Sequence, residues 1–515
     1  MASSTWRPAW EREGREPSWA VGSEAGNAHN PFGGCKFLWG NTPAIDVLQI
    51  DRNEGRTYRR DIALLFAASG DLRHVVKTIS ALQTSVKRHV TIDINDLEFS
   101  VVARNAILLL LALKTQASSV GCSESPAPDI ADAMIHIWYS AFLPSRILLL
   151  LQEVVKPLLD DVCSQIGARA PEKKQGKTWK FSDHCTFRLV LKKSDWIRLR
   201  KFLVGSECPD ATEVRRAVTL AQSRADYRDR WYFKESTPLM RVAKRRFQED
   251  GLLLPFGHPR TEFNTPNPTL FNDSSWPMDD KADPSSGWPI DDVQAVSLPA
   301  SGDWYGKLYI YLHNLFQDFL ARIRGATVTF RLFNVDAVLL PSYLDRQYTR
   351  IEVSNVCDGA YIGIEKTIST FLPLLEPTGI NRHATLITLF LNAVKEMAKQ
   401  EGDTIPNLEH LFGFLPTPQV GRVRWDIDAD FTRIWDARDM TSDVEKHFSR
   451  YTKLLNFAGI SKTTGAVMKD GNTVIEKWPT RPKLGVHEIG AKEEFCRLLG
   501  SSFTCIERYV EWRRA

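Results

Sequence analysis

Residues 60–113 read RDIALLFAASGDLRHVVKTISALQTSVKRHVTIDINDLEFSVVARNAILLLLAL. Ile62 to Ala67 is a short apolar run with charge before it and Ser69-Gly70 after it. That is how a strand buried on both faces reads. Gly70-Asp71 makes a turn. Val75, Val76, Ile79 and Leu82 then recur at helical spacing, so a helix begins near Leu72. Val90, Ile92 and Ile94 alternate as a second strand, Val90–Ile94, which runs into Asp93, Asn95 and Asp96. Val101 to Leu113 is apolar almost all round and predicts a buried helix. Strand, glycine turn, helix, strand and acidic end form the first half of a nucleotide-binding βαβ unit. The expected fold class is therefore α/β, with a Rossmann-like parallel sheet.

Such a sheet leaves a crevice at the carboxyl ends of its strands. Gly70 lets backbone approach a ligand, and the helix after it aims free N–H groups and a positive dipole end at the crevice. An acid at the end of the second strand accepts hydrogen bonds from ribose hydroxyls. Asp93 lies 23 residues after Gly70, near the spacing this role requires, and Asp96 is the alternative. One glycine in the turn is too few for a dinucleotide pyrophosphate, so an S-adenosylmethionine-type cofactor is the better candidate. A βαβ unit with no ligand, in which Asp71 and Arg73 cap or pair, is the competing reading.

The chain has 515 residues, 43% hydrophobic and 25% charged, with a net charge of +4. These are the proportions of a globular protein with room for a large core. The charge is too small for a typical nucleic-acid binder. The eight cysteines include no CxxC pair and the histidines no HExxH, so no metal site is expected. No signal peptide is apparent, which points to free thiols in the cytoplasm. The longest apolar run, Ala106 to Leu113, is far short of a bilayer span, so no membrane partner is expected.

Residues 1–33 are polar, with isolated tryptophans, and read as a disordered tail. In Phe37–Ile50, Thr42-Pro43 reads as the start of a helix, with Ala44, Val47 and Leu48 toward the core. Gly40, Asn41 and Asp46 are placed to line the crevice. Residues 211–251 are helical and basic, and Tyr227, Trp231, Tyr232 and Phe233 interleave with arginines. RNA binding competes there with a plain cationic face, and the modest net charge ranks it last. Residues 257–302, rich in Pro, Asp and Ser, read as a long surface loop or lid. Arg350 to Val356 alternates as a strand that should lie parallel to Ile62–Ala67, which needs neighbours on both sides. Asn355, Asp358 and Tyr361 follow its end. His383 opens an apolar run, ATLITLFLNAV, read as a helix leading on from a short strand, and a last helix ends at Trp512.

WGNTPAIDVL from Trp39, ALLFAASGDLRHVVKTI from Ala63, INDLE and ARNAILLL resemble the amino-terminal domain of the dynein axonemal assembly factor 3 family. They are similar too to uncharacterised fungal proteins that carry this domain, often behind a MYND zinc finger whose cysteines are absent here. The resemblance rests on Trp39, Gly40, Pro43, Ala44, Asp46, Gly70, Asp71, Arg73, Asp96, Arg104 and Asn105. It covers about a fifth of the chain, and it implies a methyltransferase-like Rossmann fold without an established activity. It also implies that acceptor-binding groups follow the fourth strand, which makes Asn355, Asp358 and Tyr361 the catalytic-side candidates. Gly40, Gly70, Asp71, Arg73, Asp93 and Asp96 are the cofactor-side candidates.

The expected organisation is a tail (1–33), a first half of the sheet (34–160), a mostly helical insertion (161–303), a second half (304–400) and a small C-terminal α+β region (401–515). The leading functional expectation is an S-adenosylmethionine-dependent methyltransferase acting on an unknown small-molecule or protein acceptor. The alternative is a non-catalytic scaffold or assembly factor with protein partners and a vestigial crevice.

Overall fold

The computed structural model describes residues 6–20, 34, 36–83, 88–117, 129–167, 169–204, 209–218, 225–230, 238–271, 275–403, 407–415, 429–501 and 503–515. The strands among them are β1 (Ile62–Phe66), β2 (His89–Asp96), β3 (Phe142–Pro144), β4 (Lys174–Ser182), β5 (Cys185–Lys192), β6 (Phe263–Pro266), β7 (Thr327–Asn334), β8 (Arg350–Glu352), β9 (Thr385–Phe390), β10 (Ala466–Met468) and β11 (Arg508–Arg514). Nine of them form one sheet in the order β10-β11-β9-β8-β1-β2-β7-β5-β4, and β3 pairs with β6 separately. The run from β9 to β5 is parallel throughout. β4 adds an antiparallel edge, and β11 runs antiparallel to both β9 and β10. The result is a mixed α/β protein around a large, mostly parallel sheet.

β1 shows why the sequence folds this way. Ile62, Leu64 and Phe66 enter one apolar core, while Leu65 and Ala67 enter a second core on the other face. A strand buried on both faces needs two neighbours and helices above and below. β2 lies on one side, with Leu64 opposite Ile92, and β8 on the other, with Leu65 opposite Ile351. The parallel β1–β8 pairing is the one expected from burial. Helices Arg73–Ser80 and Phe99–Ala117 follow β1 and β2 as read. The window Phe99–Gln116 is long and apolar enough to cross a membrane, but 83% of it is buried inside the protein.

Several expectations need correction. In the amino-terminal tail, residues 6–20 are packed: Trp10 and Trp19 are buried edge to face, and Arg15 holds Asp226. No helix starts at Thr42, because its carbonyl and hydroxyl both accept from Arg73. Residues 161–303 are not a separate insertion, since β4 and β5 extend the main sheet beside β7. Residues 257–302 are no loose lid: Asn267, Met278 and Trp288 are buried, and the Gly287 carbonyl accepts from the Ala44 amide. The run after His383 is first of all strand β9, buried at all six positions, with a helix only from Ala393. The end of the chain is strand β11, not a helix, so residues 401–515 supply two strands of the main sheet.

Candidate functional site

The sheet reverses its winding at β1 and β8. From β1 the chain moves to β2 and β7 on one side, and β8 and β9 lie on the other. A crevice outside the carboxyl ends is the usual binding place in such a sheet. Both strands end in a left-handed residue other than glycine: Ala68 follows β1 with φ 54°, and Ser354 follows β8 with φ 49°. Gly70, with φ 60°, turns the chain where a side chain would be strained.

The turn after β1 is held from both sides. The Gly70 amide donates to Asp96 Oδ2 at 2.9 Å, and the Gly70 carbonyl accepts from Asn105 Nδ2 at 2.8 Å. Asp96 Oδ1 also accepts the Glu98 amide. Burial raises the Asp96 pKa. Asp96 therefore stands at the end of β2, where an acid was expected, and it already ties the glycine turn to that strand.

Asp93 stands elsewhere. β2 extends to Asp96, so Asp93 lies inside the strand rather than at its end. Ile92 and Ile94 face one core, which turns Asp93 to the opposite face. There it is fully buried and accepts from both Nε and Nη2 of Arg331 and from the Tyr348 hydroxyl, with the Nε contact at 2.6 Å. It is not placed to meet a ribose.

Asp71 and Arg73 form a second buried pair, with Arg73 Nη1 2.7 Å from Asp71 Oδ1. Burial opposes the Arg73 charge, and Asp71 more than restores it, leaving the Arg73 pKa raised. The pair clamps the amino-terminal segment: Asp71 Oδ2 accepts the Gly40 amide at 2.7 Å, and Arg73 Nε donates to the Thr42 carbonyl at 2.9 Å. A Cβ on Gly40 would come within 2.4 Å of Arg73 Nη1, which explains glycine at that position. Arg104 continues the network to the Trp138 carbonyl and to Thr269. The residues that carry the family resemblance thus form a packed structural brace.

On the β8 side, Asp358 is buried and joins two loops. Its Oδ2 accepts the Leu391 amide at 3.1 Å and Asn392 Nδ2 at 3.2 Å, and lies 3.5 Å from Asn355 Nδ2. Its Oδ1 has no partner. Burial pushes its pKa up to about 6. Tyr361 is 64% exposed and is tied to the cluster only by its backbone amide, which donates to the Asp358 carbonyl at 3.0 Å. Glu352, which sequence reasoning missed, is buried on β8 near Arg73, and burial pushes its pKa up to about 7. The sequence signal for it is an acid between Ile351 and Val353 in the alternating run RIEVSNV.

Two other clusters carry groups of the kind used in chemistry, and both are engaged within the protein. Ser140 Oγ lies 2.9 Å from His136 Nδ1, and His136 Nε2 lies 3.0 Å from Asp132. Ser140 and His136 are wholly buried, so no substrate reaches the hydroxyl. Glu401 and Asp403 contact opposite nitrogens of His447, and Arg450 and Lys446 pair with the same carboxylates. The three residues each bring one ligand atom within 4.8 Å of the others, but Lys446 and Arg450 already balance the two carboxylates. In the basic helical region, Arg228, Arg230 and Arg241 are buried, Arg230 meets Asp280, and Lys244 meets Asp283. Trp231, Tyr232 and Phe233 lie outside the described residues.

Residues 38–143 match a family described as a domain of unknown function (DUF4470). The match ends at β3, so it covers β1, β2 and the brace, about a fifth of the chain. Dynein axonemal assembly factor 3 of Danio rerio is 39% identical over 80 residues, which is 16% of this chain and 16% of that protein. The chain therefore shares only a short domain with this relative. No solved structure matches.

Proposed function

We propose that the chain is a non-catalytic scaffold or assembly factor on a methyltransferase-like Rossmann sheet whose nucleotide crevice is closed by its own side chains. One observation carries this reading. The acids and the glycine turn assigned to a cofactor already have protein partners: Asp71 has Arg73 and Gly40, Asp93 has Arg331 and Tyr348, and Asp96 has Gly70 and Glu98. The strand order supports the fold half of the proposal. With β3 to β6 left out, the sheet reads third, second, first, fourth, fifth, seventh, sixth, and the seventh strand is antiparallel. A dinucleotide-binding sheet runs third, second, first, fourth, fifth, sixth, and this one departs from it by the antiparallel strand next to the fifth. The short match to an assembly factor fits the same reading. We place the protein in the cytoplasm, with other proteins as its partners, in keeping with the free thiols of Cys163, Cys185 and Cys357.

The second reading is an S-adenosylmethionine-dependent methyltransferase with Asn355 and Asp358 on the acceptor side. It is favoured by the left-handed Ala68 and Ser354 at the two strand ends, since backbone strain of this kind gathers at functional sites. Calorimetry of the full chain with S-adenosylhomocysteine separates the two. No heat at millimolar ligand is the scaffold outcome. Binding that Asp96→Ala weakens overturns the scaffold and leaves the methyltransferase reading.

A further inference from the structure

A cavity of about 270 Å3 opens beside the crevice. Four separate stretches wall it: residues 36–41, residues 278–286, residues 391–395 beyond β9, and residues 504–507 ahead of β11. Its volume is just under the ~300 Å3 at which ligand sites ordinarily begin, so it admits one ring or a short chain.

The charges are sorted by depth. Buried in the wall are Trp39, Met278, Asp283 and Glu507. Both acids are already engaged. Glu507 accepts from the Thr480 hydroxyl and from the Thr504 amide and hydroxyl, and Asp283 accepts from Ser285 and lies 3.2 Å from Lys244 Nζ. The buried Ser286 hydroxyl in the same wall has no partner. Lys36, Lys281 and Lys395 stand exposed at the rim, with Lys395 3.3 Å from Asp439. Two acids stand by these lysines: Asp279, which accepts the Lys281 amide, and Asp439 beside Lys395. The three ammonium groups outnumber the acids at the rim, and an excess of cations around one mouth draws anions.

We propose that this cavity binds a small organic anion, with its carboxylate or phosphate at the lysine rim and its uncharged body against Trp39 and Met278. The opposite pose would bring an anion beside Asp283 and Glu507, which repel it. Apart from Gly40 and Asn41, no residue assigned to the crevice lines this cavity, and the proposal does not depend on whether the crevice holds a nucleoside.

The test is calorimetry of the full chain with phenyl phosphate, benzoate and neutral benzyl alcohol. At least one anion should bind one to one, more weakly as salt rises, and benzyl alcohol should bind at least tenfold more weakly than that anion. The preferred anion tells a phosphate ester from a carboxylic acid. The triple variant Lys36→Ala, Lys281→Ala, Lys395→Ala should bind roughly tenfold more weakly and lose the salt dependence. Ala282→Trp, which fills the cavity, should abolish binding, with circular dichroism checking the fold of both variants. Absence of heat from both anions at about 10 mM, equal binding of benzyl alcohol, or unchanged binding in the triple variant each overturns the site.

Discussion

Glu352 ends β8 with Oε1 accepting the Ser354 amide at 2.7 Å and Oε2 without a partner. Burial raises its pKa from 4.5 to about 7. The folded protein therefore holds this proton more tightly than the unfolded chain. Its contribution to stability is complete below the unfolded value and is lost as pH rises from about 4.5 to about 7. Asp358 acts in the same sense up to about pH 6. Glu352→Gln keeps the acceptor for Ser354 and removes the ionisation. It should raise stability at pH 8 by up to roughly 3 kcal/mol and leave it near wild type at pH 4.5, measured by urea unfolding at both values. A loss at pH 8 would contradict this account. Asp71 is a buried residue of another kind, paired with the Arg73 guanidinium at 2.7 Å. Asp71→Ala strands Arg73 and frees the Gly40 amide, so it should cost about 3–5 kcal/mol. An unchanged urea midpoint would mean that the brace is not structural. The alternation of Val90, Ile92 and Ile94 announced β2, and it also turned Asp93 away from their face. That consequence was legible in the residues themselves. The partner, Arg331, was not, because it lies 238 residues away.

At the scale of the element, β11 shows what local pattern leaves out. RYVEWRR from Arg508 is rich in charge and resembles the end of a surface helix, yet five of its seven residues are buried. Glu511 is the reason it can lie inside. Its carboxylate accepts the amides of Thr473, Val474 and Ile475 and lies 3.0 Å from Lys469 Nζ. Those partners come from another segment, so the residue's own neighbours do not announce its burial. Removing residues 508–515 uncovers the edge of β9, which is buried at every position, and leaves β10 without its partner. An open apolar edge of this kind pairs with other chains. The truncated protein should lose cooperative thermal unfolding and appear as aggregate by light scattering, whereas a monodisperse, cooperatively folding product would make β11 dispensable.

At the scale of the whole molecule, one sheet gathers strands from both ends of the chain, and the middle segment is woven through it. Trp288 lies in a stretch whose composition reads as a surface loop, but it is fully buried, with Nε1 2.9 Å from the Tyr139 hydroxyl. Trp288→Ala should cost about 3–5 kcal/mol, read as a shift of the urea midpoint. In limited proteolysis, residues 284–303 should resist cleavage in the wild type and become susceptible in the variant. Early cutting there in the wild type would restore the lid.

The sequence by itself determined the sheet's centre. β1, β2, β8 and the helices after β1 and β2 follow from apolar runs and periodicities that local residues encode, since burial on two faces permits nothing else. It also placed Gly70 in the turn after β1 and offered Asp96, beside Asp93, as the acid that ends β2. Only the tertiary structure decided that Asp71, Asp93 and Asp96 are engaged from within, that residues 174–192 and 466–514 complete the sheet, and that residues 278–286 wall a cavity. A charged residue is buried only where a partner or a proton waits for it. In this chain most of those partners come from segments distant in sequence.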